Sequence, residues 1–80
     1  MKANRSYELI VRKTGRGPGL LRGPGQADHV EVIEIASGEI ALFWDIAATQ
    51  TGRLVRALRT DLAQLEVDEF LAKWRRWQSR

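Results

Sequence analysis

The chain has 80 residues, with 13 Lys and Arg against 10 Asp and Glu, three Trp, one His and no Cys. This length predicts a single domain over residues 1–80, and the 44% hydrophobic content favours a small folded core over intrinsic disorder. Without cysteine the chain has no disulfide, thiolate nucleophile or cysteine-ligated zinc, and the lone His29 excludes any site that needs two imidazoles.

The sequence has no stretch with the composition of a membrane span. Its longest uninterrupted apolar run, residues 40–44, is far shorter than the about 20 residues that a spanning helix needs. Residues 1–5 lead into strand-like sequence rather than into the apolar segment of a secretory signal. We therefore expect a cytoplasmic protein and no membrane partner.

Charge is strongly segregated along the chain. Residues 1–27 carry a net charge of +5, residues 28–48 carry −5, and residues 49–80 carry +3. A basic chain suggests nucleic acid as a partner. The acidic middle offers a structural alternative, in which the first segment neutralises the second across a sheet.

The first predicted element is a strand at Tyr7–Arg12, because apolar and polar residues alternate there and place Tyr7, Leu9 and Val11 on one face. A long loop rich in Gly, Pro and Arg follows at residues 14–27. Its glycines and prolines are incompatible with a helix or a central strand.

This loop contains Arg-Gly-Pro-Gly twice, at residues 16–19 and 22–25, on either side of Leu20 and Leu21. It is either a plain connector, a segment that contacts a nucleic-acid backbone, or a protein-binding loop. Nucleotide binding is disfavoured, because no Gly-Lys-Ser/Thr leads into a helix.

Two further strands are predicted at residues 29–36 and 39–44, joined by a two-residue turn at Ser37-Gly38. The alternation slips within the second strand, which indicates either a β-bulge or a strand covered on both faces. In the third strand, Ile40, Leu42 and Trp44 are expected to share the core face.

From Thr51 the apolar period changes from two to 3.6, which predicts a helix capped by Asp45 or Thr49. The core-facing stripe is formed by apolar residues within about 100° of arc: Leu54, Val55, Leu58, Leu62 and Leu65. Three arginines, Arg53, Arg56 and Arg59, lie on the opposite side.

A second helix is predicted from Glu66 or Val67, with acidic residues in its first turn and basic residues near its end. Its apolar stripe contains Val67, Phe70, Leu71, Trp74 and Trp77. We expect Trp74 to close the core and Trp77, near the end of the chain, to be available for a dimer contact.

The fold class that follows is α+β, with a three-stranded antiparallel sheet followed by two helices packed on one face (βββαα). The chain has no assembled catalytic group. Asp28 and His29 are neighbours on a strand and point to opposite faces, and the acids Glu31, Glu34, Glu39 and Asp45 lack the spacing of a cation-binding loop. We predict no enzymatic activity, no metal and no small-molecule cofactor.

These features predict a small non-enzymatic interaction module that binds a protein partner or itself. The expected contact residues are Arg16, Leu20, Leu21, Arg22 and Trp77. The alternative is a nucleic-acid-binding accessory protein. Its expected contact residues are Lys13, Arg16, Arg22, Arg53, Arg56 and Arg59.

Overall fold

The structure, a computed structural model, describes residues 1–12 and 27–77. Its strands are β1 (Tyr7–Arg12), β2 (Ala27–Glu34) and β3 (Ile40–Ala47), its helices are α1 (Thr51–Gln64) and α2 (Val67–Trp74), and short 3-10 turns lie at Ala3–Arg5 and Ala48–Gln50. This order confirms the predicted βββαα arrangement. The predicted loop lies outside the described residues except for Ala27, which begins β2 and was wrongly assigned to the loop.

The three strands form one antiparallel sheet with β2 in the centre, so β1 and β3 are its two edges. The register of β1 and β2 runs from Tyr7 opposite Glu34 to Arg12 opposite His29. In this register Tyr7, Leu9 and Val11 share the face that carries the buried valines of β2, as the alternation predicts.

Both alternatives offered for the slipped alternation are found: a bulge is present, although its extra residue lies in β3, and β2 itself is partly covered on both faces. The pairing passes from Val32 opposite Leu42 to Ile33 opposite Ile40, which leaves Ala41 as the additional residue. Because the extra residue reverses the alternation between Leu42 and the start of the strand, Ile40 is turned away from the core and is 55% exposed. The prediction that Ile40 joins Leu42 and Trp44 in the core is therefore wrong.

The hairpin between β2 and β3 is confirmed, although its connection is longer than the predicted two residues and spans residues 35–39. The N–H of Glu34 donates to the carbonyl of Glu39 at 2.8 Å, and the N–H of Gly38 donates to the carbonyl of Glu34 at 2.7 Å. Gly38 has a φ of 76°, a conformation in which a side chain is strained.

The helices cover one face of the sheet, where Leu58 and Leu62 from α1 and Phe70 and Trp74 from α2 are buried. The core comprises ten buried apolar residues: Ala3, Tyr7, Val30, Val32, Leu42, Trp44, Leu58, Leu62, Phe70 and Trp74. The assignment of Trp74 to the core is confirmed.

Two local features were not anticipated. The N-terminal segment joins the connection between the helices, because the N–H of Ala3 donates to the carbonyl of Leu65 and the N–H of Val67 donates to the carbonyl of Met1. At the start of α1, neither Asp45 nor Thr49 is the N-cap. Instead the buried Thr51 hydroxyl donates to the carboxylate of Asp28 on β2 at 2.7 Å.

Candidate functional site

Three of the four large exposed apolar side chains in the described part of the chain lie near β3. The four are Met1, Ile35, Ile40 and Trp77, with exposed fractions of 73%, 55%, 55% and 68%. Ile40 begins β3 and Ile35 lies in the turn that leads into it. The carbonyl of Trp77 accepts a hydrogen bond of 2.7 Å from Nε1 of Trp44 on β3. We call β3 together with Ile35 and Trp77 the β3 surface.

The composition of β3 is unusual for an edge strand, since every residue in it except Asp45 is apolar. Edge strands of soluble proteins commonly carry charged residues or proline, which discourage pairing with another chain. The opposite edge strand, β1, carries Glu8 and Arg12 in a shorter segment. The bulge at Ala41 is the main edge-protecting feature of β3 itself.

The backbone hydrogen bonds show which groups of β3 face outward. The N–H of Glu34 donates towards the β3 side, and the N–H of Ile35 donates to the carbonyl of Ser6 on the β1 side. These directions alternate along β2, so Val32 and Val30 also bond towards β3. Their partners there are Leu42 and Trp44. The N–H and C=O of Phe43, which lies between them, therefore point to the outer edge.

Aromatic packing holds β3 firmly on both faces of the sheet. On the helix side, Trp44 meets Trp74 edge to face with ring centroids 5.8 Å apart. On the opposite face, Phe43 stacks on the ring of His29 with centroids 5.6 Å apart. These contacts hold β3 in place within its own domain, so the strand is already formed before any partner binds.

The face of the sheet opposite the helices also carries two polar side-chain contacts. Arg12 pairs with Glu31 at 3.2 Å, and Glu31 is buried although it lies on this face. His29 pairs with Asp45 across β2 and β3. The first contact joins the basic first segment of the chain to its acidic middle, as the charge pattern suggests.

A second surface is formed by the outer side of α1. Arg53, Arg56 and Arg59 are all exposed, and none of the three guanidinium groups forms an ion pair with the described part of the chain. The one acid of α1, Asp61, is directed towards α2, where it accepts from Trp74 Nε1 at 2.8 Å and contacts Lys73 at 2.7 Å. The outer side of α1 is therefore uniformly basic.

The structure describes only some of the predicted site residues. Trp77 is exposed beside β3, and the three arginines of α1 lie on one side of the helix, as predicted. The remaining predicted contacts, Lys13, Arg16, Leu20, Leu21 and Arg22, lie outside the described residues. Ile35 and Ile40 were missed as surface candidates. The slipped alternation was the available signal, but it did not show which strand contains the bulge.

Four further observations on the described residues concern metal ligands, membrane insertion, His29 and surface depressions. Residues 1–12 and 27–77 contain no group of three or more metal-ligating side chains and no helix suited to crossing a membrane. Within these ranges no hydroxyl group hydrogen-bonds to His29. An open depression of about 340 Å³ lies at the other edge of the domain, where it is lined by Met1, Ser6 and residues 66–68.

Comparison with known proteins yields no relative, since no protein-family model, curated protein or solved structure matches this chain. The functional argument therefore depends on the two surfaces described above.

Proposed function

We propose that this chain is a small non-enzymatic interaction module that binds a partner protein along the β3 surface. The observation that carries the proposal is the position of the exposed apolar side chains, since Ile35, Ile40 and Trp77 all adjoin one apolar edge strand. Exposed apolar side chains grouped around an unprotected edge strand are typical of protein-binding sites.

An edge strand offers two kinds of contact at once. A partner strand can pair with the outward backbone groups, and apolar side chains on either side can anchor it. Trp77 is 68% exposed and belongs to the residue type most enriched at interface hot spots. The loop residues Arg16, Leu20, Leu21 and Arg22 remain predicted contacts within the same function.

A capture experiment with matched variants tests this proposal. The tagged protein is incubated with lysate of its source cells, in parallel with Ile40→Lys, Trp77→Ala and the control Glu8→Lys. The control adds an exposed lysine to the other edge strand. We expect captured proteins, or the chain's own self-association, to be lost with Ile40→Lys and Trp77→Ala and retained with Glu8→Lys. Equal capture and self-association by all four proteins would contradict the proposal.

The second candidate function is nucleic-acid binding, favoured by the uniformly basic outer side of α1. Arg53 and Arg59 are roughly 9 Å apart along the helix axis, so the three side chains can reach successive phosphates of one strand. Lys13, Arg16 and Arg22 remain predicted contacts within this second function. The acidic residues of the sheet lie on the strands, so they do not interrupt the basic side of α1.

Salt dependence tests the second candidate directly. Binding to phosphates weakens steeply with salt, and each arginine that contacts a phosphate contributes about one unit to the slope of log affinity against log salt concentration. Arg56→Ala should reduce that slope, whereas Arg5→Ala, an exposed arginine outside α1, should leave it unchanged. If labelled single- and double-stranded oligonucleotides fail to bind at ~50 mM salt and tens of micromolar protein, this function is excluded.

A further inference from the structure

We infer that the partner at the β3 surface is a second copy of this chain, whose β3 pairs antiparallel with the first in a register centred on Phe43. This inference rests on the function proposed above and names its partner. It predicts a continuous six-stranded sheet with a two-fold axis between the two β3 strands.

The backbone of β3 favours a partner that is already a strand. Phe43 directs its N–H and C=O to the outer edge, and these groups can form the paired hydrogen bonds of an antiparallel ladder. A flexible peptide would have to be ordered on binding, whereas a second β3 is held in place by Trp74 and His29 of its own domain.

The sequence of β3 is also self-complementary in charge. In a register centred on Phe43 the two phenyl rings lie across the axis, and Asp45 of each copy lies opposite Ala41 of the other. The single charge of the strand therefore meets no like charge, and it contacts His29 within its own copy. The same register keeps Glu39, just before β3, away from Asp45 of the second copy.

The side chains beside the strand fit this arrangement as well. A two-fold axis perpendicular to the sheet keeps both helical layers on one side, the side on which the carbonyl of Trp77 accepts the indole N–H of Trp44. Ile40 adjoins the seam between the two β3 strands on the opposite face. Because β3 supplies eight residues, fewer than the about 20 per side of a standard interface, we expect a dissociation constant in the micromolar range.

Sedimentation of the full chain over roughly 1–500 µM measures the association. We expect a concentration-dependent dimer that Ile40→Lys weakens by at least about tenfold and that Glu8→Lys leaves unchanged. Hydrogen exchange on the unmodified chain gives a second measurement. The amide of Phe43 should exchange more slowly as the dimer forms, whereas the amide of Leu9 on β1 should not change.

Crosslinking tests the register, because the natural chain has no cysteine. Residues directly opposite in a hydrogen-bonded antiparallel pair have Cα atoms about 5.5 Å apart, a separation that suits a disulfide. The Phe43→Cys variant should therefore form a disulfide-linked dimer under mild oxidation much faster than the Glu8→Cys control. Circular dichroism confirms that both variants are folded.

The outcomes separate this inference from the proposed function. A chain that stays monomeric, but captures another protein through a surface disrupted by Ile40→Lys, overturns the second-copy partner and supports the proposed function. A monomer that captures nothing overturns both. A dimer in which the Phe43 amide stays unprotected, or in which Phe43→Cys links no faster than Glu8→Cys, overturns pairing through β3.

Discussion

The two edges of the sheet are built differently. At the β1 edge, charged and backbone groups make the contacts, since Arg12 reaches across to Glu31 and the segment before β1 bonds to the connection between the helices. At the β3 edge, aromatic rings make them, with Trp44 packed on Trp74 and Phe43 packed on His29. The segment before β1 is tied into its own domain by these contacts, whereas no strand among the described residues pairs with the outer side of β3.

Under the function proposed above, this difference favours β3 over β1 as the binding edge. Contacts that involve long charged side chains and backbone groups cover an edge and discourage further pairing. Aromatic packing from above and below holds a strand in place without using its outer hydrogen-bonding groups. The comparison predicts that aromatic substitutions will have the largest effects on stability, and that charge substitutions near β1 will have smaller and more condition-dependent ones.

The largest expected effect is that of Trp74→Ala. Trp74 is 8% exposed, packs against Trp44 and Phe70, and donates its indole N–H to Asp61. Its truncation leaves a cavity beneath β3 and should lower the free energy of unfolding by about 3–5 kcal/mol in denaturant titration. Trp77→Ala is the matched control and should change stability by less than about 0.5 kcal/mol. A loss below about 1 kcal/mol for Trp74→Ala would contradict the aromatic support of β3.

The next effect concerns the central strand, which both edges share. Thr51→Val removes the hydroxyl that donates to the buried carboxylate of Asp28 and should cost about 1–3 kcal/mol. Thr60→Val is the control, because the Thr60 hydroxyl bonds to the carbonyl of Arg56 at an exposed position. Equal unfolding free energies for the two variants would show that Asp28 does not anchor α1 to β2.

At the β1 edge, Arg12→Ala should cost about 1 kcal/mol, because it leaves the buried Glu31 carboxylate without this ion pair. The Arg12 side chain is 62% exposed, so solvent screens the interaction and the cost stays modest. Arg53→Ala, which removes an exposed guanidinium group from α1, should change stability by less than about 0.5 kcal/mol. A loss from Arg12→Ala as large as that from Trp74→Ala would break the comparison between the edges.

Local sequence patterns predicted the elements well and the contacts between distant segments poorly. Period-two alternation located β1, and the period-3.6 stripe located α1, α2 and the buried Trp74. Ile40 was misplaced because a bulge is set by pairing, and the alternation of one strand does not reveal its partner's register. The bond from Thr51 to Asp28 and the contact of Ala3 with Leu65 join residues far apart in the sequence, so no local pattern indicated them.

Local sequence patterns also could not show that β3 lies at an edge of the sheet. Strand order decides whether β3 is central or exposed, and an apolar strand fits either position. The predicted interaction function was therefore assigned to the loop and to Trp77. Apart from Trp77, the β3 surface comprises residues that the sequence places in the core or leaves unassigned.

The smallest expected effect depends on pH and belongs to the N-terminal segment that precedes β1. Glu66 contacts the amino group of Met1, and its Oε2 lies 3.3 Å from Nζ of Lys2. Hydrogen bonds from the Met1 amino group and from Lys2 lower the pKa of Glu66 below its ordinary value of 4.5. Because the unfolded chain binds this proton more readily, the contribution of Glu66 to stability is fully present above pH 4.5 and is lost as the pH falls through the lower, folded-state pKa.

Thermal unfolding of the natural chain and of Glu66→Gln at a series of pH values measures this contribution. The melting temperatures should differ by a small constant amount at neutral pH and converge at acidic pH, since protonation and substitution remove the same charge. Added salt should also reduce the difference, because Glu66 is exposed to solvent and its ion pairs are screened. Glu69→Gln provides the matched control, since Glu69 accepts the backbone N–H of Glu66 but contacts neither Met1 nor Lys2. A difference between the natural chain and Glu66→Gln that grew as the pH fell would have the wrong sign for a carboxylate held charged, and it would contradict a stabilising contact between Glu66 and the N-terminal segment.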